Sequence, residues 1–136
     1  EDVYARPANR VVADFMGLVN LVPAKVAGVI GDKARLEIAP GVALDCPAPP
    51  GLSLGQQIEV AIRPENVELA AAESAAPKHG RAKVIERTFL GNLTEYIIAF
   101  ENGPSMRAQS HPRDRFAVGE TVSVWIDTDQ TSVFRP

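Results

Sequence analysis

Arg63 and Glu65 stand two apart across Pro64, and a basic and an acidic group held that close could take an anion or a partner's charge. The same spacing suits a strand-end turn pinned by its own hydrogen bonds, which is the plainer reading. Asp127 and Asp129 have the same spacing and could help hold a cation, but no third ligand is near them in sequence, so they too read as a turn. His79 and His111 fall in polar stretches with no nucleophile beside them and read as ordinary surface histidines. Cys46 beside Pro47 reads as structural rather than reactive. The sequence has no G-x-x-x-x-G-K-[ST] loop, no G-x-S-x-G elbow, no H-E-x-x-H pair and no C-x-x-C, so catalysis by any of those routes is not expected. Trp125 has the opposite parity to Val122, Val124 and Ile126, so it faces solvent, a neighbouring half or a partner, and is an interface candidate.

These residues are positioned by one pattern written twice. From Gly55 to Leu69 the apolar Ile58, Val60 and Ile62 alternate with Gln57, Glu59 and Ala61, as in a strand with one buried face, and Pro64 ends it. From Gly119 to Phe134, Val122, Val124 and Ile126 repeat the triplet, with Asp127-Thr128-Asp129 in place of Arg63-Pro64-Glu65. Earlier strands are expected at 26–30, 33–38 and 42–44, with turns at Gly31-Asp32 and Pro40-Gly41 and a proline-rich loop over 46–53. The second half replays them at 81–87, 94–100 and 105–109, with turns at Gly91-Asn92 and Asn102-Gly103 and a polar loop over 110–116. Gly31, Gly41 and Gly55 match Gly91, Gly103 and Gly119 at separations of 60, 62 and 64. The expected fold is all-β: two OB-like half-barrels over 19–69 and 80–136, a linker over 70–79, and one short N-terminal helix. In that helix Pro7 suits the first turn, Val12, Phe15 and Met16 share an apolar face, and Gly17 ends it. So short a helix must dock on something, which makes Phe15 an interface candidate.

Composition narrows the function classes. At 136 residues with 46% hydrophobic residues, one sizeable core can form. A net charge of -3 and 6% aromatics argue against the basic, aromatic-lined groove of a single-strand nucleic-acid binder. The lone Cys46 fits a reducing compartment, and no run approaches the ~18 apolar residues of a membrane helix, so a cytoplasmic protein is expected. The start, with no initiator Met and in mid-pattern, reads as a piece of a longer polypeptide.

YARPANRVVADFMGLVN resembles the segment after the nucleotide-binding domain in ATP-binding subunits of bacterial ABC importers. VAIRPENVEL is similar to the Arg-Pro-Glu strand end of the TOBE (transport-associated OB) domain that follows it, and VIERTFLGNLTEYIIAFENG to the second TOBE half. The polyamine, iron(III) and sugar importer type is nearest. This resemblance implies a non-catalytic C-terminal regulatory or dimerisation domain, with residues 1–18 as a helical connector. ATP and magnesium would belong to the upstream domain of the parent and no cofactor to this chain. The implied partners are that domain, a second copy of the ATPase subunit and membrane permease subunits, on the inner face of the cell membrane. The alternative is an oxyanion-sensing TOBE module, with backbone N–H groups and basic residues converging between the halves. Arg63, Glu65, Trp125 and Phe15 are the expected interface or regulatory residues.

Overall fold

The computed structural model of the protein describes residues 19–135. Phe15 and the expected helix over 7–16 lie outside the described residues. Ten strands follow in order: β1 (Asn20–Ile30), β2 (Lys33–Ala39), β3 (Val42–Pro47), β4 (Gln57–Ile62), β5 (Val67–Ala71), β6 (Gly80–Phe89), β7 (Thr94–Phe100), β8 (Ser105–Ser110), β9 (Thr121–Ile126) and β10 (Ser132–Phe134). Short 3-10 turns, Pro64–Asn66 and Thr128–Gln130, follow β4 and β9. The strands form two five-stranded antiparallel sheets, ordered β10-β4-β1-β2-β3 and β5-β9-β6-β7-β8. The outer strands of each sheet approach one another, β10 to β3 and β5 to β8, so each sheet curls into a small barrel. The fold is all-β, as the alternation predicts.

The two orders are the same order with one exchange. The strands β1 to β4 of the first barrel correspond to β6 to β9 of the second, but each barrel is completed by the other half's fifth strand. Pro64 ends β4, the 3-10 turn redirects the chain, and Val67 pairs with Ile126 rather than staying beside β4. The equivalent turn after β9 sends Val133 back against Val60. The two crossovers touch, the Asp127 N–H donating to the Asn66 carbonyl at 3.0 Å. The sequence division therefore differs from the sheets at two points: Val67 to Leu69, read with the first half, lie in the second sheet, where Ala70 and Ala71 continue the strand, and Ser132 to Phe134, read with the second half, lie in the first. Local alternation is the same whichever sheet a strand joins.

The internal symmetry reaches single hydrogen bonds. Gly55 N–H donates to Val26 O and Gly119 N–H to Val84 O, both at 2.8 Å. Beside each contact the first strand bulges, between Val26 and Gly28 and between Val84 and Glu86. The Gly41 and Gly103 pair is different. Gly41 has φ of 76°, but its conformational counterpart is Asn102 at 54°, a residue type that tolerates the left-handed region. Gly103 is needed for closeness instead, since a Cβ there would lie 2.5 Å from that of Ala39.

One contiguous core joins the barrels, running from Leu36, Val60 and Ile62 to Tyr96, Ile98 and Val124. The β4 strand buries both faces rather than one: Glu59 and Ala61 are 8% and 7% exposed. The cause is a second cluster of Val19, Ala61 and Phe134 on its far side, with Leu21 packed against it. Cys46 and Pro47 extend β3 instead of opening the loop, because Cys46 pairs with Ala34 and Pro47 sits at the end of an outer strand. Burial pushes the Cys46 thiol up to about 11, which leaves it unreactive at neutral pH.

Candidate functional site at the seam between the barrels

Three polar devices stand close to where the barrels meet: one joins the two barrels, and the other two fasten the second barrel at that edge. Asn20 is buried at the start of β1, and its side-chain amide acts as a short false strand. Its Nδ2 donates to Arg107 O at 2.9 Å and its Oδ1 accepts from Arg107 N–H at 2.8 Å. This satisfies a backbone donor and acceptor on β8, an outer strand that would otherwise offer them to another chain. Ser123 Oγ lies 3.1 Å from the Ala71 carbonyl and 3.3 Å from that of Ala72, tying the end of β5 to β9.

His79 is the third device, and its surroundings correct the expectation of an ordinary surface histidine. Its backbone N–H donates to Val124 O at 2.8 Å, and its Nδ1 accepts from Ile126 N–H at 3.1 Å. Its ring stacks on Trp125 with centroids 4.3 Å apart and planes 18° from parallel. Trp125 has the parity read from the sequence and is 39% exposed. Burial lowers the His79 pKa, and the charge of Asp45 opposes this only in part. The imidazole is therefore neutral, with Nδ1 unprotonated as the Ile126 bond requires.

That depression fixes a pH dependence. Because the folded state resists protonation, the His79 contribution is present above the ordinary value of 6.5 and is lost as pH falls from there through the folded value. Thermal melts at about pH 7.5 and about pH 5.5 should show the native protein losing midpoint on acidification. His79→Gln cannot titrate, so its midpoint should drop less over the same interval. Equal drops in both proteins would mean that His79 is not the group responsible.

Trp125 also separates two clefts. One, of about 430 Å³, is lined by Lys33, Arg35, Asp45, Lys78, His79 and Thr128 among others. The other, of about 310 Å³, is mostly apolar, with Glu68 at its edge. In the first, Arg35 grips Asp45 with two bonds, Nε to Oδ1 at 2.9 Å and Nη2 to Oδ2 at 3.1 Å. The hydrogen bond to Arg35 lowers the Asp45 pKa, and the same bond raises that of Arg35. Lys33 lies 3.9 Å from Asp129. These pairs are exposed and add little stability, but they fix where charge sits around the cleft.

The remaining sequence candidates do not converge on this cleft. Arg63 and Glu65 form an ion pair with each other at 3.6 Å, 43% and 52% exposed, on the crossover turn. His111 is exposed and accepts the Arg113 N–H at 3.1 Å. Among the described residues no group of three His, Cys, Asp or Glu could hold a metal ion. The seam residues act on one another by packing and hydrogen bonding. Sequence reasoning missed Asn20, Ser123 and His79, each of which acts through partners at least 45 positions away.

Known proteins share both the pattern and the shape. The TOBE domain model matches residues 60–134. The spermidine/putrescine import ATP-binding protein PotA of Rubrobacter xylanophilus is 35% identical over 127 residues, covering 90% of this chain and 33% of that protein. PotA of Ruegeria pomeroyi is 33% identical over 138 residues, covering 98% of this chain and 36% of that protein. The chain thus spans about a third of the length of these relatives. In shape it is similar to the cytoplasmic molybdate-binding protein ModG, crystallised with molybdate bound, at a TM-score of 0.72 and 14% identity over 86% of this chain and 96% of that one. The family match over 60–134, which is more than half of the chain, and relatives at least 33% identical over 90% or more of it lead to one conclusion: the chain belongs to the TOBE domain family.

Proposed function

We propose that this chain is a non-catalytic regulatory and dimerisation domain of an ABC importer ATPase subunit, supporting ATP-driven uptake of a small solute. The observation that carries the reading is the match to about a third of two polyamine-import ATP-binding proteins by a domain without a recognisable catalytic constellation. ATP and magnesium belong, in this reading, to a nucleotide-binding domain of the parent. The partners are that domain, a second ATPase subunit and the membrane permeases, with the complex held at the cytoplasmic face of the membrane. If two such domains stay paired while the ATPase domains open and close, the pairing restricts the motion to rotation and keeps the subunits at high effective concentration. Exposed Trp125 and the Arg63–Glu65 turn are the proposed contacts. The test is ATPase rate and subunit association of the parent protein carrying Trp125→Ala or Arg63→Glu. The reading expects weaker association or an altered rate with the domain still folded, and unchanged values for both variants would contradict these contacts.

A second reading, an oxyanion-sensing module, is favoured by one observation: Lys33, Arg35 and Lys78 line the cleft between the barrels. Equilibrium titration with molybdate, sulfate and phosphate decides it. Saturable binding weakened by Lys78→Ala supports a sensor, and no binding leaves the scaffold reading.

A further inference from the structure

The repeat provides its own control for locating a site. In each barrel the loop between the third and fourth strands lies at the barrel mouth, residues 48–56 in the first and 111–120 in the second. The first packs Ala48 and Leu52 against the core and the second packs Phe116, so the large apolar plugs are Leu52 and Phe116. Around these plugs the mouths diverge. The first loop, APPGLSLGQ, has no charged side chain, whereas the second, HPRDRFAVGE, carries Arg113 and Arg115 together with Asp114 and Glu120, and of these charged residues only Arg115 lines the cleft. The second mouth holds a cleft of about 370 Å³ lined by Arg87, Phe89, Thr94, Tyr96, Pro112 and Arg115.

Strand register explains how the cleft is assembled. Arg87 lies opposite Tyr96 and Phe89 opposite Thr94, so these four share one face of the β6–β7 ladder. Thr94 and Tyr96 are buried and form the floor, while Phe89 is 66% exposed. The loop is held across the mouth by three bonds. The Tyr96 hydroxyl donates to Asp114 O at 3.1 Å and accepts from Phe116 N–H at 3.2 Å, and Arg87 Nη1 donates to Phe116 O at 3.2 Å. Among the described residues neither Arg87 nor Arg115 has a carboxylate within ion-pair distance; the three ion pairs lie elsewhere. In a chain of net charge -3, two such guanidiniums beside an uncovered aromatic ring are a local excess of anion-binding chemistry.

We propose that the mouth of the second barrel is a binding site for a small organic anion, whose carboxylate or phosphate is held by Arg87 and Arg115 and whose flat apolar body lies on Phe89. The planar guanidinium fork matches either oxyanion. An exposed phenyl face takes a planar group by offset stacking. The cleft falls in the size range of small-molecule sites, and barrel mouths are a recurrent place for them. This site is separate from the seam and does not rest on the function proposed above.

Calorimetric titration of the 136-residue chain with benzoate, adenosine monophosphate and inorganic phosphate tests it. At least one aromatic anion should bind saturably with 1:1 stoichiometry, and about tenfold or more tightly than inorganic phosphate. Arg115→Ala and Phe89→Ala should each weaken that binding about tenfold, the usual scale for losing one charge-assisted bond. Both positions are exposed, and unchanged melting midpoints establish that the variants are folded. Lys78→Ala, at the seam, should leave the binding unchanged. Benzoate binding alone identifies a carboxylate ligand, adenosine monophosphate alone a phosphate, and either supports the site. The proposal is overturned if neither aromatic anion binds at millimolar concentration or inorganic phosphate binds as tightly. Retained binding in both mouth variants, or its loss in Lys78→Ala, would also overturn it.

Discussion

Leu36→Ala is expected to destabilise both barrels together, by about 3 kcal/mol. Leu36 is fully buried at the centre of β2 in the first barrel, and truncation of such a side chain costs roughly 2–5 kcal/mol through lost transfer energy and the cavity left behind. The informative part is where the loss is read. Trp125 lies on β9 of the second barrel, and its fluorescence reports that barrel and its seam with the first, whereas far-UV circular dichroism reports the strands of both. Because each barrel borrows its fifth strand from the other half and one core runs through both, loosening the first removes β5's anchorage and the support of the second. Urea titration should show the two signals shifting to the same lower midpoint. A circular dichroism midpoint that falls while the Trp125 midpoint stays would mean that the halves unfold separately.

Asn20→Ala should cost roughly 2–4 kcal/mol, far beyond the usual effect of replacing a polar side chain. The alanine would leave the Arg107 N–H and carbonyl without the partners that Asn20 supplies, and a buried backbone group stranded in this way costs ~1–3 kcal/mol. Asn20→Asp should be at least as damaging, since an aspartate has no donor for the Arg107 carbonyl and brings a charge to a site only 7% exposed. Lys25→Ala, on the same strand but exposed, should stay within about 0.5 kcal/mol of the native protein. Chemical denaturation of the three variants checks the order, and near-equal stabilities would show that water replaces the amide at no cost.

Most of the strands were legible because their signal is local. Alternation over 33–38 and Thr94–Phe100 reproduces the observed burial, and Gly31, Gly55, Gly91 and Gly119 stand where positive φ is needed. The parity that put Trp125 outside the core also holds. Partner choice is what alternation does not encode. Val67 and Leu69 carry the same pattern whether they pair with β4 or β9, so the exchange of fifth strands was hidden while the repeat that makes it symmetrical was visible. His79 was misread for a similar reason. Its neighbours in AAAESAAPKH are small and polar, and its burial comes from Trp125, which is distant in sequence. Gly103 was matched to Gly41 by residue type, although backbone conformation pairs Gly41 with Asn102. The mouth arginines belong to no motif, being 28 positions apart from 87 to 115, but their signal was present in the contrast between an uncharged loop and its charged repeat.

The exchange also gives the domain the mechanical character that a hinge constraint requires. A pair of barrels linked by a flexible tether would absorb motion between its halves, whereas barrels that complete each other's sheets transmit it. Residue-resolved amide hydrogen exchange under native conditions is the direct test of this interlocking. Amides of the inner strands β4 and β9 lie in different barrels and should exchange through the same global opening, with equal opening free energies that fall together in Leu36→Ala. If the β9 amides keep their protection in Leu36→Ala while those of β4 lose it, the barrels are independent units and the interlocked account is wrong.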